Sequence, residues 1–481
     1  MKNIKHLLFI LFAFFVNLVN AQDYIDTDLC NQVFESDINV PILEFVTIGG
    51  VEPTGESLKA PEGCVGVALI NNEYVQGRLR VILQGDTLYD SGDYVASKSG
   101  MRLKLRGNTS AGGAKKPYKI KLSKKADLLF RDGSDYKDKE WVLLRNTGDF
   151  IIKFITTSCL AEMLGFEWIP QCKYVNVVLN GDFKGDYLLV ENVKKGKARV
   201  DIEDDGFIIE DDAYWWETNT YFKGEMLPYS VGYTFKYPDP DDVNEEIITS
   251  ARDCILNFEK TLKNGGDIGE YIDVENFAAW LLAQDILGQY DSFGTNRFLY
   301  RKNENSVMKI GPLWDCDGAF RKVNDWSDIH VPYGYSFYFQ ELLDREDFFD
   351  LYLSLWRDIR PTLKECMYLK YDSIGDYLAK DFNKSIEFDS KRWKNTVVKY
   401  ETCVDKAVAW FEDRVLWLDE QLMKYTNVDV SVVEDGIVDV YTIDGRTICY
   451  RMQLDELGLL PKGFYIIKER NTGQNKKIVI K

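Results

Sequence analysis

One change of hydrophobic periodicity divides this chain and restricts its fold more than any other feature. Before the acidic segment 238–242 (PDPDD), short runs of apolar and β-branched residues are separated by Gly, Asn and Asp turns, which is typical of strands. After it, apolar residues recur at helical spacing. The pattern predicts an α+β fold with a β-rich N-terminal lobe, a helical C-terminal lobe and a ligand cleft between them.

The predicted elements follow this division. Strands are expected over 40–48, 65–70, 77–83, 101–106 and 141–144, and Asn180-Gly181 predicts a tight hairpin turn. Helices are expected over 149–164, 243–262, 274–288, 337–343, 348–367, 374–382 and 396–424. Short strands then return. The expected domains are a leader at 1–21, a β-rich lobe at 22–240, a helical lobe at 241–427 and a small β-domain at 428–481.

The N-terminus has the pattern of a secretory signal peptide. Lys2 and Lys5 precede an apolar run over 7–16, and small residues up to Ala21 form a cleavage site. No later run is long enough for a transmembrane helix, so we expect an exported protein. The formal net charge is −18, and loss of the two lysines makes it more negative. Such a surface disfavours nucleic acid and anionic membranes as partners.

Cysteine and histidine usage limits the possible chemistry. Nine cysteines are scattered without a CxxC motif, and pairing of Cys30 with Cys64, or of Cys159 with Cys172, stays open. The chain has two histidines, and one of them, in the leader, would be removed. The other, His330, fits a loop better than a catalytic role. Ser-His-Asp hydrolysis, Cys-His catalysis and multi-histidine zinc sites are therefore disfavoured.

Residues 289–320 hold two acidic loops joined by a predicted hairpin. Asp291 and Asn296 precede the first strand, and Asp315 and Asp317 follow the second. A hairpin brings its ends together, so the two loops should lie side by side. Their oxygen atoms suit Mg²⁺, and protein kinases use the same order of Asp, Asn and later Asp. Solvated loop residues in an acidic protein are the alternative interpretation.

A basic hairpin is predicted around the Gly-rich loop 107–113. Its flanking strands carry basic residues at a period of two, which places each set on one face of its strand: Arg102, Lys104 and Arg106 before the loop, Lys119 and Lys121 after it. Backbone N–H groups of such a loop, together with flanking cations, can bind phosphate. A solvated basic ribbon is the alternative.

Aromatic residues cluster over 207–240 without a helical or strict strand period. They are Tyr214, Trp215, Trp216, Tyr221, Phe222, Tyr229, Tyr233 and Tyr237. Two interpretations stay open: they line a pocket, or they fill a loop-rich core.

Several motifs together resemble the CotH family of spore-coat-protein-H-like atypical kinases. They are RGNTS with KKPYKIKL, WVLLRNTGDF, LNGDFKGDYLLVEN, QYDSFGTNRFLY and GPLWDCDGAF, in the family's order within residues 40–425. The resemblance implies an atypical protein-kinase fold. It also implies transfer of the γ-phosphoryl group of ATP to a protein Ser or Thr, with Mg²⁺ or Mn²⁺.

The resemblance also implies roles for individual residues. The catalytic residue would be Asp291, the metal ligands Asn296, Asp315 and Asp317, and the phosphate-binding groups Arg106, Lys119 and Lys121, with Glu191 orienting one lysine. Two positions depart from the family's pattern. Gln289-Tyr290-Asp291 stands where Asn-x-Asp is common, and Lys153 stands where Arg is common.

The C-terminal segments VYTIDGR, LPKGFYII and KIVIK resemble the sorting domains of exported Bacteroidetes proteins. This implies a cell-envelope or extracellular destination. ATP is scarce there, so an alternative function is a catalytically inactive kinase-fold envelope protein that binds glycan, through Tyr214–Phe222, or protein partners. A purely structural surface protein is a third alternative.

Overall fold

The computed structural model describes residues 25–289, 291–292, 294–321, 337–423, 437–442, 446–453, 457, 460, 463–469 and 475–480. The predicted leader and His330 lie outside these ranges. Contacts divide the chain into two units, Met1–Asp413 and Arg414–Lys481. In the part of the chain that the structure describes, no helix is both long and apolar enough to cross a membrane.

The N-terminal part of the first unit is a closed β-barrel. Its strands are β1 (Ile42–Thr47), β4 (Val75–Leu83), β5 (Asp86–Asp90), β6 (Met101–Leu105), β7 (Tyr118–Ala126), β8 (Asp138–Arg145), β9 (Cys172–Leu179) and β10 (Asp182–Glu191). The order is β1-β9-β10-β8-β7-β6-β4-β5, and β1 also pairs with β4. This pairing closes the sheet. A separate hairpin is formed by β2 (Glu56–Lys59) and β3 (Val67–Ile70).

Side-chain alternation decides what fills the barrel and what projects from it. Leu103 on β6, Ile120 on β7 and Trp141 on β8 belong to one buried apolar cluster. Residues that alternate with these buried positions along a strand, such as Lys119 and Lys121 on β7, point outward, because successive side chains of a strand face opposite sides. The predicted hairpin turn is confirmed, with left-handed Asn180 (φ 53°) and Gly181 (φ 79°) between β9 and β10.

A second sheet follows in the chain. It contains β11 (Phe207–Asp212), β12 (Tyr221–Phe222), β13 (Gly232–Tyr237), β14 (Arg297–Arg301) and β15 (Met308–Ile310), in the order β12-β13-β11-β14-β15. The predicted hairpin between the acidic loops is β14–β15, with Leu299 opposite Ile310.

The helices of the described residues are spread along the chain: two precede the second sheet, two lie between β13 and β14, and three follow β15. They are α1 (Thr27–Phe34), α2 (Phe150–Met163), α3 (Glu245–Lys263), α4 (Val274–Leu287), α5 (Phe337–Leu343), α6 (Glu346–Trp393) and α7 (Tyr400–Met423). The mixed α+β class is thus confirmed. The separation into helices over 348–367 and 374–382 is wrong, because α6 runs through both. Tyr371 is buried in the intervening turns and its hydroxyl lies 2.6 Å from Thr156 Oγ1 on α2, so packing outweighs local propensity.

The second unit contains the end of α7 and a four-stranded antiparallel sheet. Its strands are β16 (Ile437–Thr442), β17 (Thr447–Gln453), β18 (Gly463–Glu469) and β19 (Asn475–Ile480), in the order β17-β16-β18-β19. Val438, Val440, Tyr465 and Ile467 form its apolar cluster.

All nine cysteines are free thiols, so neither disulfide considered from the sequence is present.

Candidate active site

A cleft of about 1820 Å³ in the first unit collects most of the predicted site residues. The barrel, the second sheet and the two acidic loops all contribute to its lining. The predicted residues that line it are Arg106, Lys119, Lys121, Asp291, Asn296, Asp315 and Asp317. Arg106 and Asp315, which are in contact, are 209 positions apart in sequence, so the fold brings together residues from distant motifs.

One wall of the cleft is the outer face of the barrel. Lys119 Nζ lies 2.9 Å and Lys121 Nζ 3.3 Å from the carboxylate of Glu140. Burial alone would raise the pKa of Glu140, but the charges of Lys119, Lys194 and Lys121 outweigh it and hold the pKa at about 2. The Glu140 carboxylate between the two lysines is therefore ionised at neutral pH.

Glu140, and not the predicted Glu191, is the glutamate that contacts Lys119 and Lys121. Glu191 is opposite Trp141 in the β10–β8 pairing, so its side chain faces the interior of the barrel. There it is fully buried and pairs with Arg131 (2.6 Å) and Arg199. Alternation along the strands is the physical reason, because only outward positions can meet Lys119 and Lys121.

A second wall of the cleft contains the loop after α4. Left-handed Gly288 (φ 56°) ends α4, and Asp291 and Asn296 follow before β14. The Asn296 amide donates to the backbone carbonyl of Asp291 (3.1 Å). Burial, with the nearby charges of Asp317 and then Asp315, raises the pKa of Asp291 to about 6. Asp291 is thus a carboxylate whose pKa lies close to physiological pH.

The second acidic loop begins at Asp315, which has a left-handed backbone (φ 50°). Both terminal nitrogens of Arg106 lie 3.5 Å from Asp315 Oδ2. Asp317 is an exposed residue of the cleft. Partial desolvation of its carboxylate and the charge of Asp315 raise its pKa to about 6, although Lys153 and Arg145 act in the opposite direction. Lys153 Nζ also donates to the Asp317 carbonyl (2.8 Å).

The charges of Asp317 and Asp315 raise the pKa of Asp291, and the charge of Asp315 raises the pKa of Asp317. A divalent cation bound between these carboxylates would relieve this repulsion. No group of three or more His, Cys, Asp or Glu side chains among the described residues is already gathered as a metal site. Mg²⁺ needs fewer protein ligands, because it commonly binds one or two carboxylates with water and substrate phosphates. Asp315, Asp317 and Asn296 fit that donor set.

Sequence reasoning missed two groups of charged residues in the cleft. Arg145, at the end of β8, lines it beside Asp317; it lies within the WVLLRNTGDF motif, so a signal was present. The loop 192–197 contributes three lysines, of which Lys194 pairs with Asp138 (3.1 Å) and Lys195 with Asp204 (2.5 Å). No periodicity distinguishes that loop from an ordinary turn.

The aromatic cluster is divided between packing and the cleft: Phe222 and Tyr233 are buried, Tyr214 and Tyr237 line the cleft, and Tyr229 is exposed. Trp215 lies 4.7 Å from the ring of Tyr221 and donates from Nε1 to the Ser230 carbonyl (3.2 Å). Trp216 Nε1 donates to the Val65 carbonyl (3.4 Å). Of the segment 214–222, Tyr214 lines the cleft. Both tryptophans are half-buried, and neither lines the cleft.

This chain belongs to the CotH kinase family. The family model described as CotH kinase protein matches residues 103–418, which contain every residue assigned to the cleft walls above. No curated protein matches.

Among solved structures, the chain is similar to one in the Shewanella oneidensis MR-1 toxin–antitoxin complex of HipA, HipB and operator DNA. The identity is 14%, the TM-score is 0.30, and the match covers 64% of this chain and 66% of that chain, just under two thirds of its length. A likeness at this level is too distant to establish a shared fold.

Proposed function

We propose that this protein is a phosphotransferase of the CotH type, which transfers the γ-phosphoryl group of ATP to a Ser or Thr hydroxyl of a protein. The observation that carries the proposal is the position of Asp291. It stands in one cleft with the Lys119–Glu140–Lys121 group, and the carboxylate's pKa is raised to about 6 by burial and by Asp317 and Asp315.

In this reaction the acceptor oxygen forms a bond to the γ-phosphorus while the bond to the β–γ bridging oxygen breaks, and ADP leaves. Asp291 accepts the hydroxyl proton at its carboxylate. A base with a pKa near the working pH is mostly ionised, yet still basic enough to take a proton. Phosphoryl transfer otherwise depends on positioning and charge neutralisation.

The cations of the cleft have the second task. Lys119 and Lys121 on the barrel wall, with Arg106 at its end, offset the charge of the phosphates, which an acidic protein would otherwise repel. Asp315, Asp317 and Asn296 would hold Mg²⁺ or Mn²⁺, and the ion supplies neutralisation of charge on the phosphate oxygens. Arg106 contacts Asp315 in the free protein and lines the same cleft as Lys119 and Lys121.

The test is transfer of radiolabelled phosphate from γ-labelled ATP with Mg²⁺ or Mn²⁺ to the protein itself and to added acceptor proteins. We expect label with the wild type and a loss of about 10²–10⁴-fold in Asp291→Asn, the range typical for a general base. Asp315→Asn should lose transfer and also metal-dependent nucleotide binding. A wild type that neither transfers phosphate nor binds nucleotide would support the catalytically inactive binding protein.

We also propose that the protein is exported, by the leader at 1–21, and that the sheet β16–β19 is a sorting domain. The small four-stranded sheet is a unit apart from residues 1–413, which supports this proposal. N-terminal sequencing should show that the mature protein begins at Gln22. A chain truncated after residue 427 should still be exported but fail to reach the final location of the full chain; unchanged location would contradict the sorting role.

A further inference from the structure

Two consecutive acidic residues near the end of β11, Glu210 and Asp211, hold the loop that carries Asp291. The Gly294 N–H donates to Asp211 Oδ2 (3.3 Å), and the Asn296 N–H donates to Glu210 Oε1 (2.8 Å). In return, the Ala213 N–H donates to the Gly294 carbonyl (2.6 Å). The loop is therefore fastened at two amides and one carbonyl by a single strand end.

Asp211 is itself held in place by a buried ion pair. It is fully buried and pairs with the guanidinium of Arg297, the first residue of β14, which is also fully buried. Arg297 lies 5.8 Å from the centre of the Trp280 ring, and 5.2 and 5.4 Å from those of Tyr338 and Phe339. Aromatic ring faces within about 6 Å attract a cation, and the packing of these three rings restricts movement of the guanidinium. A strained loop needs such an anchor.

The loop does contain unusual backbone. Asn296 has a positive φ of 59° and Gly294 one of 69°, and a non-glycine residue in this region persists only when its surroundings hold it. The contacts to Glu210 and Asp211 end at those same two residues. The side chain of Asn296 then donates to the Asp291 carbonyl, which extends the restraint to the catalytic position.

We propose that Asp211 and Glu210 are positioning residues, which set the place of Asp291 for phosphoryl transfer without touching the substrate's reacting atoms themselves. This inference rests on the proposed function. Glu210 also pairs with Lys236 (2.7 Å) in the cleft, so the same strand end links the loop to the cleft lining. Misplacement of a catalytic group by about 1 Å can cost about 10²-fold in rate.

The experiment compares Asp211→Asn and Glu210→Gln with Asp182→Asn in the full-length mature chain. Asp182 is a matched control, because its buried carboxylate also holds cations, Lys184 (2.8 Å) and Arg392 (3.0 Å), but on the barrel away from the cleft. We expect both loop variants to lose about 10–100-fold in kcat, with the KM for ATP changed less than about twofold. The control should keep its kcat, measured well below its melting temperature.

Amide hydrogen exchange gives an independent readout. Exchange at Gly294 and Asn296 should accelerate in the loop variants and not in Asp182→Asn. If Asp211→Asn does not fold, Glu210→Gln decides the question, because it leaves the Asp211–Arg297 pair intact. Kinetics and exchange equal to the control would overturn this inference alone. An inactive wild type would overturn the proposed function and the inference together.

Discussion

On the barrel wall of the cleft, Lys119 and Lys121 share the carboxylate of Glu140, whereas on the loop wall Asp291 faces the carboxylates of Asp315 and Asp317. The first wall is compensated, and the pKa of Glu140 falls to about 2. On the second wall Arg106 pairs with Asp315, yet burial and the charges of Asp317 and Asp315 still raise the pKa of Asp291 to about 6. Paired charges stabilise the free protein. Neighbouring carboxylates repel one another, and they therefore favour the binding of a cation or a proton.

The two lysines of the barrel wall should contribute unequally to ATP binding and transfer. Lys119 is next to Tyr118, which pairs with Leu105 just before Arg106, so it lies nearer the acidic loops than Lys121, about 7 Å farther along the strand. We expect Lys119→Met to lower kcat/KM for ATP about 100-fold and Lys121→Met about 10-fold, as for loss of one charge-assisted hydrogen bond. Equal losses would mean that the barrel wall acts only through its total charge.

Glu140→Gln tests whether compensation positions the lysines or merely neutralises them. Without the carboxylate the wall becomes more positive, so ATP should bind at least as well, but the lysines lose their fixed geometry. We expect kcat to fall about 10-fold with no rise in KM. Glu44→Gln is the control, because Glu44 pairs with Arg80 on the barrel and does not line the cleft. A higher KM in Glu140→Gln would contradict the positioning role.

The walls should also respond oppositely to pH. The pKa of Glu140 is lowered, so its pair stabilises the fold above the ordinary pKa of a Glu, and that stability is lost as the pH falls toward about 2. Glu140→Gln should therefore lower the free energy of unfolding at pH 7, on the order of 2 kcal/mol, and less at pH 3. Denaturant unfolding at both pH values, without divalent cations, measures this difference.

Asp291→Asn should have the smaller and opposite effect. Because the pKa of Asp291 is raised in the folded state, the wild type loses stability as the pH rises from about 4 to about 6. The amide avoids that loss, so the variant should be the more stable protein at pH 8, by roughly 1 kcal/mol after allowance for solvent screening, and nearly equal at pH 4. A variant less stable than the wild type at pH 8 would show that the acidic wall is compensated after all.

Much of the fold follows from periodicity, as the barrel strands, the hairpin at Asn180-Gly181 and the hairpin between the acidic loops illustrate. The contacts of the candidate site depend on strand register and on pairing between strands that are distant in sequence. Glu191 and Glu140 are both glutamates near the basic hairpin in the sheet, and only strand register shows that one faces inward and the other meets the lysines. Glu210 and Asp211 carry no motif at all; their role depends on pairing between β11 and β14, which are separated by the whole of α3 and α4.

The size of the cleft has a kinetic consequence. A pocket for one small ligand usually measures about 300–1,000 Å³, and this cleft measures about 1820 Å³. Donor and acceptor can therefore occupy it at the same time, and the proposed direct transfer to the acceptor hydroxyl needs no phosphorylated enzyme. Initial-rate measurements with both substrates varied should give intersecting double-reciprocal lines, the pattern of a ternary complex, rather than the parallel lines of a ping-pong reaction.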